Sequence, residues 1–227
     1  MNKQMSESLI TGVLLAVVGG FLDAYTYITR DHVFANAQTG NMVLFGTNLS
    51  QGQFLTALTY VFPILAFFLG VLIAEIIKGK YKPYTKFHWR LIVITIEIVL
   101  LTSVAFIPEK GNIIANVLVS FVCAMQVETF RKVHGNPYAT TMCTGNLRSA
   151  TESFYHYTET HDQKFLNKSF HYLIIIAIFI VGAILGSILS HYFWYKAILL
   201  CPIILGGVFL LIHFNALGRP EKGKCLK

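Results

Sequence analysis

Apolar residues fall in blocks of about twenty, each closed by a short polar interval. Such blocks predict six membrane-spanning helices, over residues 8–29, 54–77, 89–107, 112–130, 169–190 and 193–214, because about 20 apolar helical residues cross a bilayer core. Pro63 and Pro202 fall inside the second and sixth blocks and predict kinks there. Gly19-Gly20 in the first block allows a neighbouring backbone to come close. That first block is long, is interrupted by Asp23, and is followed by no small-x-small cleavage pattern, so a retained span is expected rather than a signal peptide.

Two connectors, 30–53 and 133–168, are unlike ordinary loops. The first holds Thr39-Gly40-Asn41 and the second Thr144-Gly145-Asn146, 105 residues later. At the same offset Asp23 falls on Glu128, Tyr25 on Phe130 and Trp89 on Trp194; at offset 112 the stretch ending at Gly70 falls on that ending at Gly182. The chain reads as two weakly similar halves, 1–107 and 108–227. Thr39 suits a helix N-cap. A helix over 39–50 would be about 18 Å long, too short to span, so it is either a half-helix dipping into the protein or the start of a long second span. The second connector continues into a polar amphipathic stretch carrying Arg148, Glu152, His156, Glu159 and His161.

Composition and charge sharpen this into a topology. Of 227 residues, 55% are hydrophobic and 13% charged, with mean hydropathy +0.59, against about 25% charged in a soluble domain. The net charge of +7 therefore reports which side the loops face rather than a nucleic-acid partner. With six spans, 15 of the 18 Lys and Arg residues fall on the side of the N-terminus, the 78–90 loop, the 131–168 loop and the 215–227 tail. Only Arg30, Lys110 and Lys196 fall on the other side. By the positive-inside rule both termini are cytoplasmic. Three spans per half give the halves opposite orientations, with the first motif near the outer face and the second near the cytoplasmic face. The expected fold is an all-α integral membrane protein of six transmembrane helices, arranged as two inverted three-helix repeats. Each repeat has a short Thr-Gly-Asn helix between its first and second spans. Cys123, Cys143, Cys201 and Cys225 have no metal-ligand spacing.

Gly20-Phe21-Leu22-Asp23-Ala24, Val33-Phe34-Ala35-Asn36 with Thr39-Gly40-Asn41, Ala124-Met125-Gln126, and Thr140-Thr141 with Thr144-Gly145-Asn146 together resemble the YoaK-like family of bacterial inner-membrane proteins. The likeness covers most of the chain and implies a six-span protein of the inner membrane, without supplying a substrate. Gly70, Ala74, Glu75, Lys78, Lys80 and Lys82 are similar to the loop after the second span of major facilitator superfamily transporters. One six-span half of such a transporter is itself two inverted three-span repeats, so that likeness implies a homodimer.

Acids inside spans cost several kcal/mol unless partnered or wet, so they mark candidate sites. Asp23 and Glu128 lead; their structural alternatives are a span-end position or ion pairs with Arg30 and Arg131. Glu97 lies nearest a span centre, whereas Glu75 suits a partnership with the basic loop. Asn36, Thr39, Gly40, Asn41, Gln126, Thr141, Thr144, Gly145 and Asn146 complete the candidate set, as side chains or helix-start amides able to hold a ligand. Plain capping, and tight packing at Gly40 and Gly145, is the alternative for the motifs. No metal site, cofactor or enzymatic arrangement is expected. The leading functional expectation is a small secondary transporter or facilitator for a small polar or ionic solute, in one version proton-coupled through its intramembrane acids. A channel with two half-helices meeting between the repeats, or a non-transporting membrane scaffold, are the alternatives. The expected partners are the lipid bilayer, the solute and a second copy of the chain.

Overall fold

The computed structural model describes residues 5–82, 89–133, 136–138 and 143–217. Within them the chain is all-α, apart from a two-residue antiparallel ladder of β1 (Lys132–Val133) and β2 (Asn136–Pro137). Eight α-helices are described: α1 Leu9–Thr29, α2 Gln38–Ser50, α3 Phe54–Tyr81, α4 Trp89–Val104, α5 Asn112–Thr129, α6 Cys143–Thr160, α7 Gln163–Phe193 and α8 Leu200–Leu217. Four stretches are long and apolar enough to cross a membrane: Leu9–Thr29, Phe54–Tyr81, Glu109–Thr129 and Gln163–Asn215. The last runs through α7, the 3-10 segment Trp194–Leu199 and most of α8. The 16 residues of α4 make about 24 Å of helix.

One local point left open by the sequence is decided and two expectations change. Residues 39–50 do not open a long second span: α2 is a separate helix, ended at Gln51–Gln53 where Gly52 has φ 74°, a conformation that costs glycine little. The polar stretch after the second motif forms an 18-residue helix, α6. Pro202 kinks no helix; the chain instead changes from the 3-10 segment to α8 at Leu200, and Pro202 lies in the first turn of α8, where a missing N–H costs no hydrogen bond. Pro63, by contrast, does lie inside a helix.

Helix packing follows small residues. α1 packs along α7, α3 along α5, α2 on α3, α6 on α7, and α4 on both α5 and α8. Gly20 meets the backbone of Phe179 and Ala183; Gly182 meets Val17 and Gly186 meets Phe21. The α3–α5 crossing is built likewise, with Gly70 against the Phe121 backbone and the Ala124 Cβ. Lipid is as apolar as leucine, so helices in it associate through such close backbone approach rather than through hydrophobic burial. Large apolar side chains instead cover the outside, among them Leu55, Phe62 and Phe68 on α3 and Ile180 and Ile184 on α7.

Charges gather at the ends of the helices. At the end holding the start of α1, Glu7 pairs with Arg90 at 3.2 Å, and Arg90 also donates to Ser6 Oγ and the Thr129 carbonyl. At the same ends of α3 and α5, Glu75, Lys78, Glu128 and Arg131 form one ion-pair network.

Candidate functional site

Asp23 sits in α1 and is buried. Its Oδ1 accepts from the Asn36 N–H at 2.7 Å, and the N–H groups of Ala35 and Ala37 are also directed at the carboxylate. Asn36 Nδ2 donates to the Gly19 carbonyl at 3.0 Å. Gly19 lies ten residues before the end of α1, about 15 Å along its axis. The connector after α1 therefore turns back and descends beside it, and α2 starts at mid-depth. Tyr60 of α3 lies in the field of Tyr27 and Asp31, at the far end of α1, so α2 runs from mid-depth back to that end before α3 begins.

Thr39 does not cap this helix. The N-cap position is Ala37, with no side-chain cap, and Thr39 is exposed in the first turn. Asp23 supplies the acceptor from another helix instead, an anion at a helix N-terminus. Asn41 does the rest: its Oδ1 accepts from the Phe34 N–H at 3.0 Å, while its Nδ2 donates to the Phe34 carbonyl at 2.8 Å and to Gln38 Oε1 at 2.9 Å. Gly40 lies against the Phe34 ring, where a Cβ would clash. The first Thr-Gly-Asn is thus a clamp on the loop that precedes it.

The second copy is only partly similar. Asn146 is buried, Thr144 and Gly145 are exposed, and no described atom lies within 4 Å of a Cβ built on Gly145. Tight packing is therefore found at Gly40 and not at Gly145. Thr141 lies outside the described residues. Cys143, the first residue of α6, lies in the field of the Asp23 carboxylate. Farther along α6, Ala150 packs with Ala16 of α1 and with Tyr172 and Ile175 of α7, and its carbonyl accepts from Ser169 Oγ at 2.9 Å. α6 thus also starts near Asp23, and it runs toward the opposite end from α2. Both motifs lie level with the middle of α1, not at opposite faces as their loops suggest; for the first, the connector folds back along the helix it leaves.

The remaining acids separate into two environments. Glu128 pairs with Arg131 at 3.1 Å and with Lys78 at 3.6 Å, and belongs to the end network rather than to the centre. Gln126 is buried and donates to the Leu15 carbonyl of α1 at 3.1 Å. Glu97 on α4 is wholly buried, and neither carboxylate oxygen has a hydrogen-bond partner among the described residues. Cys123 of α5 lies within electrostatic reach of both Glu97 and Asp23 and beside the Asn36 side chain. Cys123 therefore stands between the motif centre and Glu97. No group of three His, Cys, Asp or Glu able to hold a metal occurs among the described residues.

Arg30 does not pair with Asp23. It is the largest fully buried side chain, and it donates to Tyr25 Oη, to Asn112 Oδ1 at 2.9 Å and to the Val104 carbonyl at 3.2 Å. Its guanidinium lies 4.1 Å over the Tyr195 ring. Asn112 in turn donates to Asp31, and Asn116 to the Arg30 carbonyl. This knot ties α1, α4, α5 and the 3-10 segment together. Sequence reasoning places Arg30 in a loop and passes over Asn112 and Asn116, although two asparagines four apart on an apolar helix face are a usable signal.

Residues 11–211 match the family described as "Protein of unknown function (DUF1275)". The UPF0700 transmembrane protein YoaK of Bacillus subtilis (strain 168) is 27% identical over 215 residues, covering 91% of this chain and 94% of its own length. No solved structure matches. The family match spans most of the chain, and together with the long apolar helices it makes this protein a transmembrane member of the DUF1275 family.

Proposed function

We propose that this chain is a small secondary transporter or facilitator for a small polar or ionic solute, built as two inverted repeats of three spans and one half-helix. It would lie in the bacterial inner membrane with both termini cytoplasmic, and it would not be an enzyme. The observation that carries this reading is the pair of helices α2 and α6, which both start near Asp23 in the middle of α1 and run toward its opposite ends. Broken helices whose N-termini meet at the bilayer centre are where transporters of this kind hold substrate. The packing supports the repeat: exchanging the first four helices with the last four turns the α1–α7 pair into α5–α3, α2–α3 into α6–α7, and α4–α5 into α8–α1. The solute would sit between the start of α6, Asn36 and Gln126, with Asp23 holding the start of α2 in place. A second copy of the chain would complete the assembly by analogy with the two halves of a major facilitator.

The test starts from purified protein screened against small polar metabolites and salts by thermal shift, because a ligand of the folded state raises its apparent stability. A compound that raises the melting temperature is then followed into proteoliposomes under an imposed gradient. Saturable, gradient-driven uptake supports a transporter. Uptake that is unsaturable and follows only the solute's own gradient would make the protein a channel. Absence of both stabilisation and flux across the screen would leave a scaffold.

A further inference from the structure

Glu97 lies apart from the half-helix centre, and no described group donates a hydrogen bond to its carboxylate. Both its oxygens, Ser120 Oγ and Asn116 Oδ1 are buried without partners among the described residues, as is Asn36 Oδ1. Arg30 fixes the level of α4 against α5, since it bonds both Val104 and Asn112. From Val104 back to Glu97 is seven residues and from Asn112 on to Ser120 is eight, about 10 and 12 Å along antiparallel helices. Glu97 and Ser120 are therefore level, and the field of Glu97 on Cys123, one turn beyond Ser120, agrees. A buried carboxylate with no hydrogen-bond donor and no cation is costly in a membrane and calls for a positive charge, to which Asn116 Oδ1 and the lone pairs of Ser120 Oγ at the same level can add.

We propose that Glu97, with Ser120 and Asn116, binds a single positive charge, a proton or a sodium ion, which couples solute movement to an ion gradient. The proposal rests on the transporter reading for its role and on the buried acceptor cluster for its place. It moves the coupling group away from Asp23, which is committed to the start of α2, and from Glu128, which is committed to Lys78 and Arg131. Few other charges reach it. α5 presents Cys123, and Cys201 of α8 lies near Cys123. The remaining charged and titratable groups of the packed elements lie toward the helix ends: Arg90 on α4, Tyr60, Glu75, Lys78, Lys80 and Tyr81 on α3, Glu128 on α5, His213 on α8, and Tyr195 and Lys196 on the 3-10 segment.

A protonated carboxyl in an apolar setting adds its O–H across a C=N bond of a hydrophobic carbodiimide, and the acylisourea formed rearranges to a stable N-acylurea, so peptide-resolved mass spectrometry of the full-length protein in liposomes reads the site without a known solute. With a proton as ligand, labelling at Glu97 falls about tenfold for each pH unit above its midpoint and ignores sodium. With sodium as ligand, sodium chloride protects Glu97 where choline chloride does not, and Ser120→Ala weakens that protection. Glu97→Gln removes the labelled peptide while Asp23→Asn keeps it; should Glu97→Gln fail to fold, the wild-type pH and sodium series decides alone. Glu97 that never labels, or labels independently of both pH and sodium, overturns the proposal. A responsive Glu97 in a protein that carries no solute upholds the ion site and overturns the transporter. An inert Glu97 in a protein that does carry solute does the reverse.

Discussion

The sharpest contrasts at the residue scale fall inside one tripeptide. Thr39 faces outward, Gly40 makes room for the Phe34 ring, and Asn41 makes two hydrogen bonds to Phe34 in the loop before it and a third to Gln38. Leaving buried backbone groups unpaired costs about 1–3 kcal/mol each. Asn41→Ala should therefore lower the melting temperature clearly, while Thr39→Ala should leave it within error; a thermal melt of the two variants in detergent checks this. Asp23→Asn keeps an acceptor for the Asn36 N–H, and Asp23→Leu does not. The second should lose more stability, by about 1–3 kcal/mol, in the same measurement. The acids were legible in the sequence because a carboxylate in an apolar block is rare. Arg30 was not: one residue past a span it reads as a loop charge, and only the fold surrounds it with Tyr25, Asn112, Val104 and the Tyr195 ring.

For the elements, apolar block length located α1, α3, α4, α5, α7 and α8 but not the 18-residue polar α6, and blocks carry no information on where a chain turns back. α2 and α6 depend on contacts with residues far along the chain, Gly19 and Asp23 for the one and Ala16, Tyr172 and Ile175 for the other. The glycines divide in the same way. Gly182 lies against the Val17 backbone, whereas no described atom lies within 4 Å of a Cβ built on Gly207. Gly182→Val should separate α1 from α7 and sharply reduce the yield of folded protein, and Gly207→Val should not. Size-exclusion profiles of the two variants expressed side by side give the comparison. Gly52→Ala, at φ 74°, should cost about 1 kcal/mol through the turn between α2 and α3, measurable as a small drop in melting temperature.

Across the whole molecule, the proposed orientation rests on 15 basic residues against 3. Lys82→Cys should react with a membrane-impermeant thiol reagent only from the cytoplasmic side, and Lys110→Cys only from outside, in intact cells against inverted vesicles. The reverse pattern would turn the molecule over. Part of that charge also has local work: Arg90 anchors Ser6, Glu7 and the end of α5, and Lys78 and Arg131 bind Glu75 and Glu128.

By itself the sequence determined the membrane class and the long apolar helices, because these follow from local hydropathy and from charge. The tertiary structure alone decided that the first connector folds back to start α2 beside Asp23, that Glu128 belongs to an end network, and that Glu97 is buried without a hydrogen-bond partner among the described residues. Each of those depends on which distant groups share one buried space. Local hydropathy carries no record of that, since a buried carboxylate and an ion-paired one look the same along the chain.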